Sequence, residues 1–298
     1  MRVSQWSFVG SLVGSVGMLI VGSAAADELP SGLVQREAAT SGREDVATSG
    51  FEAVQAAPAP DANDVTSFRV SFGGLFSGGN SETLALTGST RFELRRSDNQ
   101  LIVMAAGNYG EAAPAGSDER ETNVENLQAK ARYDRFLSDR LTAFAAVSAL
   151  RDRFQGLALR TNFDPGLAYY IVRDSDLEFW AELGYDLQHD RRRQDAIDKA
   201  AAAGSVVARS ETRHSGRGFL GYRVRLSPAV ELDLGTELLL SMEDTKNFRW
   251  IWDAALTSSL TEGLSLATTL NLRYDNNPLP EYETTDLTTA VSLVVNLL

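Results

Sequence analysis

From about residue 65 to the last residue, apolar side chains return at every second position, and this pattern constrains the fold more than anything else in the chain. Leu177, Phe179, Ala181, Leu183, Tyr185 and Leu187 alternate with Glu178, Glu182, Asp186 and Gln188. Val230, Leu232, Leu234, Leu238 and Leu240 alternate with Glu231, Asp233 and Glu237. Leu264 to Tyr274 and Leu287 to Leu297 repeat the pattern against Ser265, Thr269, Asn271, Arg273, Thr288, Ser292 and Asn296. Successive side chains of a strand point to opposite faces, so alternation of this length predicts strands. They are ~10 to 14 residues long, against the ~5 to 6 usual in soluble sheets, which suits tilted spans of a bilayer.

Twelve such segments begin near residues 66, 82, 99, 122, 140, 157, 176, 206, 229, 246, 263 and 284. Every second connection is short and turn-like: Ser97-Asp98-Asn99, Leu137 to Arg140, Arg173 to Asp176, Leu226 to Ala229 and Leu260 to Gly263. The others vary, with long ones at about 112 to 121, 190 to 205 and 275 to 283. An even strand count, short turns on one side and longer loops on the other form the outer-membrane pattern. The predicted fold is an all-β antiparallel transmembrane barrel of about 12 strands, residues 65–298.

In a bilayer every backbone polar group must pair and no sheet edge can stay open. The apolar set then faces lipid and the charged set the lumen, the inverse of a soluble barrel. Period alone does not separate the two; a lipocalin-like soluble carrier is the competing reading. It would need large apolar residues on the inward face of most strands. Here one face repeatedly carries mid-strand charge, as in Arg91, Glu93 and Arg95, or Arg249 and Asp253.

Residues 1–26 read as a secretory signal peptide: Arg2, an apolar run from Phe8 to Val21, then Ala24-Ala25-Ala26 before Asp27. The competing reading, an N-terminal membrane anchor, would need ~20 apolar residues, and this run is short. Residues 27–64, rich in Ala, Ser, Gly, Glu and Pro, are expected to be a disordered periplasmic leader with too little apolar surface to offset the entropy of ordering. With no Cys, disulfides, thiolate metal sites and a lipidated N-terminal cysteine are excluded. The net charge of −12 argues against a nucleic-acid partner, which needs a basic face.

Ser77-Gly78-Gly79-Asn80-Ser81-Glu82-Thr83, Tyr133-Asp134-Arg135-Phe136-Leu137-Ser138-Asp139-Arg140-Leu141, and Asp152-Arg153-Phe154-Gln155-Gly156-Leu157 with Arg160 carry a family resemblance. So does Leu272 to Pro280 followed by Thr284-Thr285-Asp286. Over residues 68 to 298 the chain resembles the salt-induced outer membrane protein family, YdiY-like, domain of unknown function 481. The resemblance implies an outer-membrane barrel with no established activity. The chain departs from such barrels at its end, Asn296-Leu297-Leu298, where a terminal Phe is usual.

Candidate chemistry is sparse, and no catalytic residue, metal site or cofactor is expected. His189 precedes Asp190, but neighbours on one strand point to opposite faces and would not meet. His214, among Arg213, Ser215 and Arg217, reads as a lumen or rim residue. Gly78, Gly79 and Asn80 suit a tight turn, and Asn80 with Glu82 offers too few oxygens for calcium. Arg191, Arg192 and Arg193 could meet lipopolysaccharide phosphates at the outer rim or be plain solvated loop. The stretch from Arg193 to Gly204 could form a short helix at the barrel mouth.

The mid-strand charges are the main candidate. Glu178, Glu182, Asp186, Glu231, Asp233 and Glu237 lie on the seventh and ninth strands, flanking an eighth that carries Arg217, Arg223 and Arg225. Acidic rows beside a basic one predict an internal ion-pair network, which if dense plugs the barrel and if loose passes ions. Two functions follow: a small passive pore or envelope-homeostasis barrel linked to osmotic or salt conditions, or a closed structural or adhesive barrel. A hydrolase lacks a catalytic constellation. The expected partners are outer-membrane lipid, lipopolysaccharide, and the barrel-assembly machinery during biogenesis.

Overall fold

The computed structural model describes residues 64–77, 83–113, 120–278 and 284–297. The expected signal peptide and nearly all of the leader, the Gly78 to Glu82 turn and Leu298 lie outside these residues. Twelve strands follow in order: β1 Asp64–Ser77, β2 Thr83–Arg96, β3 Asn99–Ala112, β4 Glu121–Phe136, β5 Leu141–Asp152 and β6 Leu157–Arg173. After β7 Leu177–Arg192 comes the one helix among the described residues, α1 Gln194–Ala202. Then come β8 Ser210–Ser227, β9 Val230–Ser241, β10 Phe248–Thr261, β11 Leu264–Asp275 and β12 Thr285–Asn296. Each strand pairs antiparallel with its sequence neighbours, and β1 pairs with β12 to close the barrel.

The strands begin within four residues of the positions expected from alternation, but β6 and β8 reach 17 and 18 residues. Both run past the apolar rows into the loop-side rim, where alternation fades and pairing alone sustains the strand. β6 also carries Pro165 in mid-strand. Proline has no N–H to give a ladder. Pro165 stays in register with Ala145 of β5, while the β6–β7 register passes from Phe163↔Leu187 to Gly166↔Gly184, leaving Asp164 and Pro165 out.

The alternation sorts side chains as the bilayer argument requires. Outward, Leu183 is 74% exposed, and Leu127, Val147, Leu220, Leu256, Leu287 and Val291 are exposed as well. The outward rows of the central barrel carry no charge. Arg96 and Arg135 appear at the turn end, and Glu125, Arg151 and Arg191 at the loop end. Tyr133 and Tyr169 toward the turns, and Tyr109 and Trp250 toward the loops, are exposed near the borders of this band, as in an aromatic girdle. At ~3.3 Å per residue and a tilt of ~40°, Leu177 to Leu187 of β7 spans roughly 25 Å along the axis, the height of a hydrocarbon band.

Helix α1 sits in the long loop where the Ala-rich stretch predicts it. Its N-cap Arg193 makes no side-chain cap, and Asp195 serves instead. The Asp195 carboxylate accepts the Ala196 N–H at 3.0 Å and pairs with Arg193 at 3.0 Å. A negative group in the first turn also meets the positive end of the helix dipole.

Candidate functional site

The inward side chains build the site. β4 contributes Lys130, Arg132 and Asp134; β7 contributes Glu178, Glu182, Asp186 and Asp190; β8, β9 and β10 add Arg217, Asp233, Glu237 and Asp253, all buried. A barrel of about eight strands is filled by side chains of ordinary size, and twelve strands enclose more room, so only long or aromatic side chains can bridge it.

They do so in three layers. At mid-height the Glu182 carboxylate accepts hydrogen bonds from Arg132 at 3.2 Å and Arg217 at 2.7 Å. Arg132 also holds Asp134 at 2.9 Å, and Arg217 donates to Glu237. This chain of charges crosses the lumen as a chord from β4 to β7, passing over β5 and β6. Phe144 of β5 lies under it, with the Arg132 guanidinium 3.9 Å and that of Arg217 5.5 Å from its ring centre. Phe144 fits because β6 presents Gly166 there: a Cβ would sit 2.5 Å from its Cζ.

Toward the turns, Tyr170, Trp180 and Phe219 form a buried aromatic layer with successive ring centres 6.1 Å apart. Trp180 lies flat on Gly221, where a Cβ would come within 2.2 Å of the indole. Beside it Arg223 meets Asp233 at 2.6 Å and Glu178 and Glu231 at 3.5 Å. Toward the loops, Arg160 grips Asp190 with two bonds of 2.7 and 2.8 Å, Asn162 donates to Asp186 at 2.6 Å, and Arg249 faces Asp186 at 3.6 Å. Buried charges are tolerated when paired and hydrogen-bonded; the chord and the Arg160–Asp190 pair meet both conditions, while Arg249 and Asp186 are paired without a hydrogen bond between them.

Among the described residues, small cavities bordered by charged side chains interrupt the loop-side half. One of about 50 Å³ is bordered by Lys130, Arg160, Asp164, Asp186, Arg217 and Arg249, with room for roughly three or four waters. Another, about 100 Å³, opens at the mouth between Glu211, Arg213, Glu243, Asp244, Arg249 and Asp275. The packing is one-sided. Along β12, β1 and the loop-side half of β2 the lumen-facing residues include Ser71, Gly73, Thr87, Ser89 and Ser292, small and half-buried, whereas the turn-side half of β2 carries the buried Arg91, Glu93 and Arg95. Side chains of the small size do not reach the chord.

The sequence-derived site residues mostly converge. Glu178, Glu182, Asp186, Asp233 and Glu237 enter the network with Arg217 and Arg223. Arg225 does not: it is exposed and pairs with Asp176 at 3.2 Å by a turn, and Glu231 sits at the same end, over a third exposed. The three-arginine cluster is split by strand alternation. Arg191 is exposed outside, Arg192 is buried inside against Glu211 and the Ala208 carbonyl, and Arg193 is held by Asp195.

His189 faces outward and bonds Thr212 at 2.9 Å, while Asp190 points inward to Arg160, so the two do not meet. Of the lumen or rim positions expected for His214, the lumen one is corrected: the residue stands at the loop-side rim, level with the end of β9. It alternates with buried Ser215, turns outward and bonds the Tyr185 hydroxyl. Among the described residues, no three His, Asp or Glu side chains converge as a metal site; Asn80 and Glu82 lie outside them. Lys130, Arg132, Asp134, Arg160 and Trp180 were missed as site residues. Their signal was present, since Lys130, Arg132 and Asp134 recur at period two in β4, but Arg132 meets Glu182 on a strand that is not a neighbour. Arg160 and Trp180 meet partners on adjacent strands, Asp190 and the rings of Tyr170 and Phe219.

Among solved structures, the chain is similar to a NanC porin, at 14% identity and a TM-score of 0.42, over 76% of this chain and 97% of that one. It is similar to the COG4313 outer membrane channel from Pseudomonas putida F1, at 12% identity and a TM-score of 0.46, over 81% of this chain and all of that one. The translocator domain of the autotransporter NalP from Neisseria meningitidis is 12% identical, TM-score 0.41, over 78% of this chain and 87% of that one. No curated protein matches. The model of the family described as protein of unknown function, DUF481, matches residues 70–297, nearly the whole barrel and far more than half of the chain, and the chain belongs to that family.

Proposed function

We propose that this protein is a non-enzymatic outer-membrane barrel that serves as a narrow passive pore for water and small ions, in envelope homeostasis under changing salt or osmotic conditions. The observation that carries the pore reading is the one-sided lumen. An ion-pair and aromatic block stands on the β4 to β10 side, and small side chains line β12, β1 and the loop-side half of β2. The charge-free outward band with aromatic borders supports the membrane setting. The salt link rests on the resemblance to salt-induced outer membrane proteins. In this reading Arg191 meets lipopolysaccharide phosphates, supported by its exposure on the outer face at the loop end.

A second reading is a closed structural barrel, favoured by the Arg132–Glu182–Arg217–Glu237 chord. Planar-bilayer recording of the refolded mature protein separates the two, once a heat-modifiable gel band shows a closed barrel. The pore reading expects small discrete current steps that shrink in Ser71→Phe, which narrows the small-residue side. A heat-modifiable barrel carrying no current refutes the pore and leaves the structural reading.

A further inference from the structure

Every pair of neighbouring strands is in register along nearly its whole length except one. β1 and β12 pair over Arg69–Phe72 against Leu293–Asn296, and above that Gly73 to Ser77 and Thr285 to Ser292 form no ladder with each other. Both stretches stay fully paired on their other sides, with β2 and β11. The unladdered part is level with Leu86 and Leu272, within the apolar band. Backbone groups facing each other there without a ladder are costly in hydrocarbon, where no water can replace the missing partner.

What closes the seam instead is a steric fit at Gly73. A Cβ at that position would lie 2.6 Å from the Val291 carbonyl oxygen and 3.0 Å from the Ser292 hydroxyl. The β12 backbone rests on the bare glycine, a contact that separates without breaking a row of hydrogen bonds. The seam also borders the small, half-buried lumen residues of β1, β2 and β12. Outside it stand the exposed apolar Phe72, Leu287 and Val291, and inside it Ser71, Thr87 and Ser89. Below, Arg69 shares the inward register of Arg91 and is exposed.

We propose that the loop-side half of the β1–β12 seam is a lateral portal through which an anionic single-chain amphiphile of the fatty-acid type passes between bilayer and lumen. The acyl chain lies between Phe72 and Val291, and the carboxylate enters past the hydroxyl-lined wall toward Arg69. This inference rests on the outer-membrane reading but not on ion conduction.

The test uses the full mature protein in phosphatidylcholine vesicles containing a diazirine-bearing long-chain fatty acid, with labelled residues mapped by mass spectrometry. The expected result is labelling of outward Phe72 and Val291 together with lumen-side Ser71, Thr87 and Ser89. Because the chain has no cysteine, Gly74→Cys with Val291→Cys, bridged by a short bifunctional methanethiosulfonate through a disulfide at each end, gives a sole reducible cross-link across the seam. It should abolish the lumen-side labels, keep the outward ones, and recover on reduction. Gly73→Val, which wedges the strands apart, should raise the lumen-side labels, and Arg69→Gln should lower them. Labelling confined to outward residues, or unchanged by the cross-link, overturns the portal. Absence of outward labels overturns the membrane reading itself.

Discussion

Replacing Glu182 by Gln removes one negative charge from the middle of the lumen without changing the size of the side chain. Glu182 is fully buried, and the partners it bridges, Arg132 and Arg217, have side chains only 1% and 3% exposed. Removing one member of a buried ion pair typically costs ~3 to 5 kcal/mol, because the other charge is left uncompensated in a poorly solvated place. Here each arginine retains a second carboxylate, Asp134 or Glu237, and Gln still accepts a hydrogen bond. The expected loss is therefore at the low end, about 3 kcal/mol. Urea unfolding of the barrel in short-chain phosphatidylcholine vesicles, followed through tryptophan fluorescence, measures it as a lowered midpoint at unchanged slope. A cycle with Arg217→Gln should give a coupling of ~1 to 3 kcal/mol. A loss below ~1 kcal/mol, the value for a solvated surface pair, would refute the reasoning and place Glu182 in open water.

Gly221→Ala should cost ~1 to 3 kcal/mol in the same assay, because the new methyl would overlap the Trp180 indole. Gly218→Ala, where nothing lies within 4 Å, should be tolerated; equal costs for the two would mean Trp180 does not rest on Gly221. Leu183→Arg, on the outward face, should lose ~2 to 4 kcal/mol in lipid and fold poorly into vesicles, whereas unimpaired insertion would show that this face is not in hydrocarbon. In the α1 loop, the hydrogen bond from Arg193 holds the Asp195 carboxyl below its ordinary value of 3.8, helped by the Ala196 N–H. A depressed carboxyl adds stability above its unfolded value and loses it as pH falls through the folded one. Amide exchange in α1 should thus be flat from neutral pH down to about 4 once corrected for its intrinsic rate, and should quicken below that. Asp195→Asn should remove the step, and an unchanged profile in that variant would sink the assignment.

Much of the fold was legible because alternation is a local property. The runs in β7, β9, β11 and β12 name their own lipid and lumen faces residue by residue, and turn residues between them mark the reversals. Alternation likewise placed Glu178, Glu182 and Asp186 together on one face, and kept His189 from Asp190. It misled where a strand end was read as loop: β7 and β8 continue in register as far as Arg191↔Ser210, so Arg192 turns inward to Glu211. His214 was read inside β8 but not assigned by its alternation with Ser215, which turns it outward to Tyr185.

By itself the sequence determined strand number, face and order, since these depend on neighbours along the chain and on the cost of an unpaired backbone in lipid. Only the tertiary structure decided which charges meet across the lumen, because Arg132 reaches Glu182 over two intervening strands, a chord set by barrel curvature and by the space that Gly166 leaves for Phe144. It alone decided that the filling is one-sided, and that the closing seam rests on Gly73 rather than on a full ladder. Closure joins the two ends of the sheet, and no local pattern records how two strands so far apart in the chain will fit.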